Sequence, residues 1–218
     1  MKMLDLFSGL GGWSSAFKAR GHEVVTVDLE PSFQPTVCAD IMQLTAKDLH
    51  HLGPFDIVTA SPMCNCFSVM TISRHWSIDG KPNPETKDSI RMVGHTVDLI
   101  LNLFPRWWVL ENPMGMMRHV LGKPSATTYF ASWGDLAYKP TDLWGVLPKT
   151  VEWKKPRNWQ KASRGSQAGG TQAKPNAAER ARIPYGLSLA LCLACEKELA
   201  ALPISLTVDA KPIKKEST

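Results

Sequence analysis

The stretch "MLDLFSGLGGWSSAFKARGHEVVTVD", residues 3–28, decides how the chain is read. Its first five residues are apolar except for Asp5 and make a short buried strand. "GGWSSAFKARG" (11–21) opens on glycines and closes on Gly21, as a short helix between turns does. "EVVTVD" (23–28) is β-branched and ends on an acid, which makes it a second strand. The rhythm continues: "VCADI" (37–41) follows the proline-rich "PSFQPT" (31–36), a short helix-like piece comes next, and "FDIVTA" (55–60) is again apolar and rich in β-formers. Strands separated by helices in this order predict an α/β protein with a doubly wound, mostly parallel sheet.

Farther along, "NPETKDSIRMVGHTVDLILNLFP" (83–105) offers Asn83 as cap and Pro84 at the first helical position. Ile90, Val93, Val97, Leu101 and Phe104 then recur at helical spacing. "RWWVLENP" (106–113) reads as another buried strand with Glu111 and Asn112 at its carboxyl end. From Trp144 to Arg182 the chain turns basic and loop-rich, with Trp144, Trp153 and Trp159 interleaved among lysines and arginines. "YGLSLALCLACEKELAAL" (185–202) is an apolar helix, and the tail "DAKPIKKEST" (209–218) is expected to fray.

A chain of 218 residues holds one α/β domain with a small appendage rather than two large domains. No run approaches the roughly 18 apolar residues of a membrane span, and the N-terminus lacks a signal-peptide core, so a cytoplasmic protein with no membrane partner is expected. The odd count of five cysteines fits reduced thiols. The net charge of +5 fits a polyanionic partner, and it is concentrated in the 144–182 segment.

Ligands of an open parallel sheet bind outside the carboxyl ends of its strands, where the strand order reverses. Three motifs stand at such ends: "FSGLGG", "ASPMCNCFS" and "LENP". In the first, Ser14 replaces the third glycine of a dinucleotide fingerprint, and Asp28 at the end of the next strand suits ribose hydroxyls, so an adenosine-type cofactor is favoured. In the second, Cys64-x-Cys66 has neither the spacing of a zinc clip nor the C-x-x-C of a redox pair, even if Cys192 and Cys195 are added, and no metal is expected. A single nucleophile remains. An unperturbed thiol is only about 3% thiolate at neutral pH, and a modestly electropositive setting is expected to suffice.

With these residues the chain resembles the DNA cytosine-5 methyltransferases, in the compact form often met in phages and prophages. "DLFSGLGG" is similar to that family's first motif, "VDLEP" and "ADI" to its second and third, "PMCNCFS" to P-P-C-Q-x-F-S and "ENP" to E-N-V. The resemblance implies a Rossmann-like S-adenosylmethionine-dependent methyltransferase fold. It implies cofactor contacts at Phe7, Ser8, Gly9, Leu10, Gly11, Gly12, Asp28, Leu29, Asp40, Ile41 and Pro62. It further implies that Cys64 is the nucleophile, adding to C6 of a flipped cytosine so that C5 can take the methyl group, with Cys66 a bystander. Glu111, holding or sharing a proton, would bind N3 and the exocyclic amine.

The departures are specific. Met63 and Asn65 replace a proline and a glutamine. "YKPTDLW" (138–144) stands where the family has Q-x-R-x-R, so Lys139 and Thr141 take the places of two arginines near the base, and lysine lacks the bidentate fork. "IPYGLSLA" (183–190) stands where G-N-S-V-P is expected. By resemblance, residues 144–182 are a small target-recognition insert between catalytic portions 1–143 and 183–205, with 206–218 as tail. Ser68, Lys154, Lys155, Arg157 and Arg164 would then meet DNA phosphates. A monomer acting on a short cytosine-containing duplex site is expected. The alternatives are the same chemistry on RNA, single-stranded DNA or a cytosine nucleotide, and a catalytically silent DNA-binding relative.

Overall fold

In the computed structural model, which describes residues 1–135, 138–154 and 176–202, the opening stretch folds as strand, helix, strand. Strand β1 (Lys2–Leu6) leads through helix α1 (Ser14–Ala19) to β2 (Glu23–Asp28), which lies parallel to β1 with Leu4 opposite Val25. The crossover repeats. Strands β3 (Val37–Cys38), β4 (Ile57–Ala60) and β5 (Trp107–Pro113) extend the parallel sheet, and β6 (Ala126–Tyr129) and β7 (Pro140–Val146) complete it. The order is β3-β2-β1-β4-β5-β7-β6, with β7 antiparallel to both neighbours. The sheet is the doubly wound, mostly parallel one expected of a Rossmann-like methyltransferase fold.

Side chains alternate across the strands and build two cores. On one face Leu4, Leu6, Val58, Ala60 and Leu110 meet α4 (Pro84–Asn102) and α5 (Met117–Leu121). On the other, Met3, Ile57, Trp107, Val109 and Leu143 meet α1 and α7 (Tyr185–Ala200). Helix α4 starts where its sequence says: Asn83 Oδ1 accepts the Thr86 amide at 2.8 Å and Pro84 follows it. The expected strand 37–41 is shorter, because Asp40 Oδ1 accepts the Met42 amide at 3.0 Å and caps a 3-10 turn, Ile41–Gln43. Between it and β4 lies the brief α2 (Ala46–His50), opened by a Thr45/Asp48 capping box. Strand β7 takes in Trp144, the first residue of the expected insert, and buries it in the core.

Candidate active site

Neighbouring strands β1 and β4 have crossovers leaving in opposite directions, and a cleft of about 840 Å³ opens past their carboxyl ends. That volume suits a drug-sized or nucleoside-sized ligand. Phe7, Ser8, Gly9, Leu10, Gly12, Asp28, Leu29, Asp40 and Ile41 all line it. Gly11 instead faces an adjoining depression, and Pro62 lies behind the wall, its carbonyl accepting from Asn112 Nδ2 at 3.0 Å. The Asp28 carboxylate spans the turn: Oδ2 accepts the Gly9 amide at 2.7 Å and Oδ1 the Glu30 amide at 3.0 Å. Gly12 is a packing requirement, since a Cβ there would stand 2.5 Å from the Ile183 amide nitrogen.

Sequence reasoning missed several walls of the cleft. Asp5 is buried, accepting the Thr59 hydroxyl at 2.9 Å and the Ser14 amide at 3.2 Å, and burial pushes its carboxyl up to about 7. Glu85, Ser89 and Met92 of α4 form the far side, while Ala178 and Ala181 of α6 (Ala177–Ala181), with Arg182 and Ile183, close the top. The segment standing in place of G-N-S-V-P therefore does border the cleft. Its helix is fastened to α1 through Ser188, whose hydroxyl donates to the Trp13 carbonyl and accepts the Ala16 amide at 3.3 Å.

Past the cleft, Cys64 opens a turn in which the Phe67 and Ser68 amides donate to its carbonyl at 3.0 and 2.9 Å. Its thiol is half-buried, whereas Cys66 turns into the core. Glu111, 3% exposed, lies opposite Leu143 of β7, and Thr141, two residues earlier on that strand, reaches it from the same face. The Thr141 hydroxyl donates to Glu111 Oε1 and stands 3.0 Å from the Asn112 carbonyl. Lys139 Nζ lies 3.9 Å from Glu111 Oε1 and 4.2 Å from the centre of the Phe130 ring, and donates to the Arg180 carbonyl at 3.4 Å. Glu111, Lys139 and Thr141 thus come together at one end of the sheet, within electrostatic reach of the Cys64 thiol.

The electrostatic setting of the thiol corrects the sequence expectation. Burial pushes Cys64 above the ordinary thiol range; the Lys139 ammonium pulls it down and the Glu111 carboxylate pushes it up. Desolvation wins, so the thiol is held neutral in the free protein. Cys192 and Cys195 lie in α7 on the opposite face of the sheet from Cys66, which rules out a shared four-cysteine metal site. Burial pushes the Cys192 thiol up to about 12, and that of Cys195 up as well.

The residues expected at DNA are less concentrated. Ser68 follows the cysteine turn, its hydroxyl accepting the Met70 amide at 3.3 Å and its backbone bridging to Gly115. Lys154 is exposed, with Nζ 5.1 Å from the centre of the Trp133 ring. Lys155, Arg157 and Arg164 lie outside the described residues.

The type II methyltransferase M1.HphI of Haemophilus parahaemolyticus is 29% identical over 137 residues, a match covering 56% of this chain and 35% of that protein. The type II methyltransferase M.XorII of Xanthomonas oryzae pv. oryzae is 29% identical over 129 residues, 52% of this chain and 28% of that protein. The chain spans about a third of the length of the curated relatives it matches. In fold, it is similar to the Entamoeba histolytica methyltransferase EhMeth, with a TM-score of 0.51 at 14% identity, over 72% of this chain and 57% of the other. The family model of the C-5 cytosine-specific DNA methylases matches residues 1–140, from β1 through the glycine turn, the cysteine turn and Glu111 to the start of β7; the chain belongs to that family.

Proposed function

We propose that the protein transfers a methyl group from S-adenosylmethionine to C5 of a cytosine flipped out of DNA, with Cys64 as nucleophile. The observation that carries this reading is the grouping of the Cys64 thiol with Lys139 and Glu111 beside the glycine-turn cleft. The cleft suits an adenosine-type cofactor: Asp28 and Asp40 offer carboxylate oxygens, and Leu29 and Ile41 apolar surface for a ring. When bound, that cofactor supplies an electrophilic methyl group.

The protein's own groups do the rest. Base binding brings a proton from solvent to Glu111, the Cys64 thiol releases its own proton to solvent, Sγ adds to C6, the 5,6-double bond opens, and electron density gathers at C5 and on the ring. Glu111, sharing a proton with N3 and accepting from the exocyclic amine, disperses that density. Lys139 places a positive charge where negative charge develops, and the Thr141 hydroxyl holds the Glu111 carboxyl in place. Engaging Glu111 with the base also removes the charge that opposes ionisation of Cys64, leaving Lys139 to favour the thiolate. Base binding and nucleophile activation are thereby coupled. After transfer, the C5 proton passes to solvent, its electron pair re-forms the 5,6-double bond, and Cys64 leaves as the thiolate. Ser68 and Lys154, with Lys155, Arg157 and Arg164, would meet phosphates, in a compact phage-type enzyme whose small reader lies within 144–182, between β7 and α6.

The test is transfer of labelled methyl from S-adenosylmethionine to mixed-sequence duplex DNA, single-stranded DNA, RNA and cytidine nucleotides, with the product base identified. The expected result is 5-methylcytosine in duplex DNA, none with Cys64→Ser, and a rate lowered at least about tenfold with Lys139→Ala, the effect of one pKa unit on the thiolate fraction. Methylation of RNA or a nucleotide alone would overturn the DNA acceptor. Undiminished transfer by Cys64→Ser would overturn the mechanism.

A further inference from the structure

Cys66, His75 and Glu85 meet beside the active-site turn, and the chemistry above uses none of them. Cys66 is 4% exposed and His75, at the end of α3 (Ile72–His75), also 4%, whereas Glu85 in the first turn of α4 is open to solvent. One ligand atom from each lies within 4.8 Å of the other two. Two details set the group apart from ordinary packing. The buried His75 Nδ1 has no hydrogen-bond partner among the described residues, and Glu85 Oε2 stands 3.7 Å from it. The Ser89 hydroxyl donates to Cys66 Sγ at 3.2 Å, an outer contact of the kind that steadies a thiolate ligand.

A tetrahedral zinc ion takes thiolate at about 2.3 Å and imidazole or carboxylate at about 2.0–2.2 Å, which sets its ligand atoms about 3.4–3.6 Å apart. The His75–Glu85 separation of 3.7 Å is within a few tenths of an ångström of that range, and the others close with shifts of about an ångström. We propose that Cys66, His75 and Glu85 bind a zinc-class divalent cation, the fourth position open to solvent, and that the ion ties the turn carrying Cys64 to α4. The mixed sulfur, nitrogen and oxygen donors select a borderline-soft ion over magnesium or calcium. On binding, the Cys66 thiol releases its proton to solvent and the sulfur lone pair goes to the metal. Glu85 also lines the cleft, which puts the ion at its wall. The sequence expectation of no metal rested on the cysteines, and here His75 and Glu85 come from separate elements.

His22, Cys192 and Glu196 form the second such group among the described residues, but there both Glu196 oxygens are already engaged by Arg20, at 2.8 and 2.7 Å, and one also by His22 at 2.8 Å. That group reads as an ion pair. The cation site stands independently of the methyl-transfer reading, and its test needs no turnover. The reduced 218-residue protein is titrated with Co²⁺, reading thiolate-to-cobalt charge transfer and the visible bands of tetrahedral cobalt, and Zn²⁺ is then used as competitor. The account expects one ion per chain, displaced by Zn²⁺, the charge-transfer band lost in Cys66→Ser and kept in Cys64→Ser and Cys192→Ala. Glu85→Gln, at an exposed position that leaves the fold intact, should weaken binding at least about tenfold. No saturable band, a band kept in Cys66→Ser, unchanged affinity in Glu85→Gln, or loss only in Cys192→Ala would each overturn the site.

Discussion

Asp5 illustrates what a single residue does that its motif does not reveal. Its carboxyl titrates near 4 in an unfolded chain and at about 7 when buried between Thr59 and Ser14. Between those values the folded state carries a proton that the unfolded state lacks, so the group's contribution to stability is greatest below about pH 4. It declines as pH rises to about 7 and is constant above. Asp5→Asn removes that decline: from pH 4 to pH 8 the variant should gain a few kcal/mol relative to wild type, read from urea unfolding at each pH. Parallel pH profiles for the two proteins would contradict this. Cys64 and Glu111 were legible because their motifs name them, and Lys139 and Thr141 because they occupy a motif's place. Asp5 was not, because an acid inside an apolar strand announces neither its burial nor its partners. The inward turn of Cys66 was hidden for a related reason: one residue's shift around a tight turn separates a half-exposed thiol from a core one.

At the scale of elements, β7 does the most to assemble the site, since it carries Thr141 and begins beside Lys139. Its close approach to β5 depends on Gly145, which has φ +127° and faces Val109; a Cβ there would stand 2.1 Å from the Trp108 carbonyl oxygen. Gly145→Ala should therefore cost about 2–5 kcal/mol, strained backbone and overpacking together, and reduce methyl transfer as β7 shifts. Gly80→Ala, in an exposed turn with open space around its Cβ, should cost about 1 kcal/mol and leave transfer intact. Equal effects of the two substitutions, measured by thermal melting, would contradict this. The sequence announced β1, β2, β4, β5, α4 and α7 through periodicity, β-branching and caps. It did not announce β6 and β7: their antiparallel pairing is decided by contacts across the sheet, and "TDLWGV" (141–146) mixes polar, aromatic and glycine residues without a plain alternation.

For the whole molecule, the mostly parallel, doubly wound sheet with helices on both faces followed from the opening βαβ stretch and its repetition, because a parallel sheet needs crossovers and crossovers need helices. The proposed reader segment was read from charge, tryptophan content and the family resemblance, and its Lys155, Arg157 and Arg164 fall outside the described residues. What the described residues assemble is a cleft at the strand-order reversal, a half-buried thiol past it, and a carboxyl and an ammonium within 3.9 Å of each other. The central claim is that Cys64 forms the bond to the base. Incubating the protein with S-adenosylmethionine and duplex DNA carrying 5-fluorocytosine blocks the last step, since fluorine cannot leave as a proton does, and the adduct can be isolated and mapped by mass spectrometry. The account predicts a cofactor-dependent covalent complex on the peptide containing Cys64, absent in Cys64→Ser; attachment at Cys66, or a complex that persists in Cys64→Ser, would contradict it.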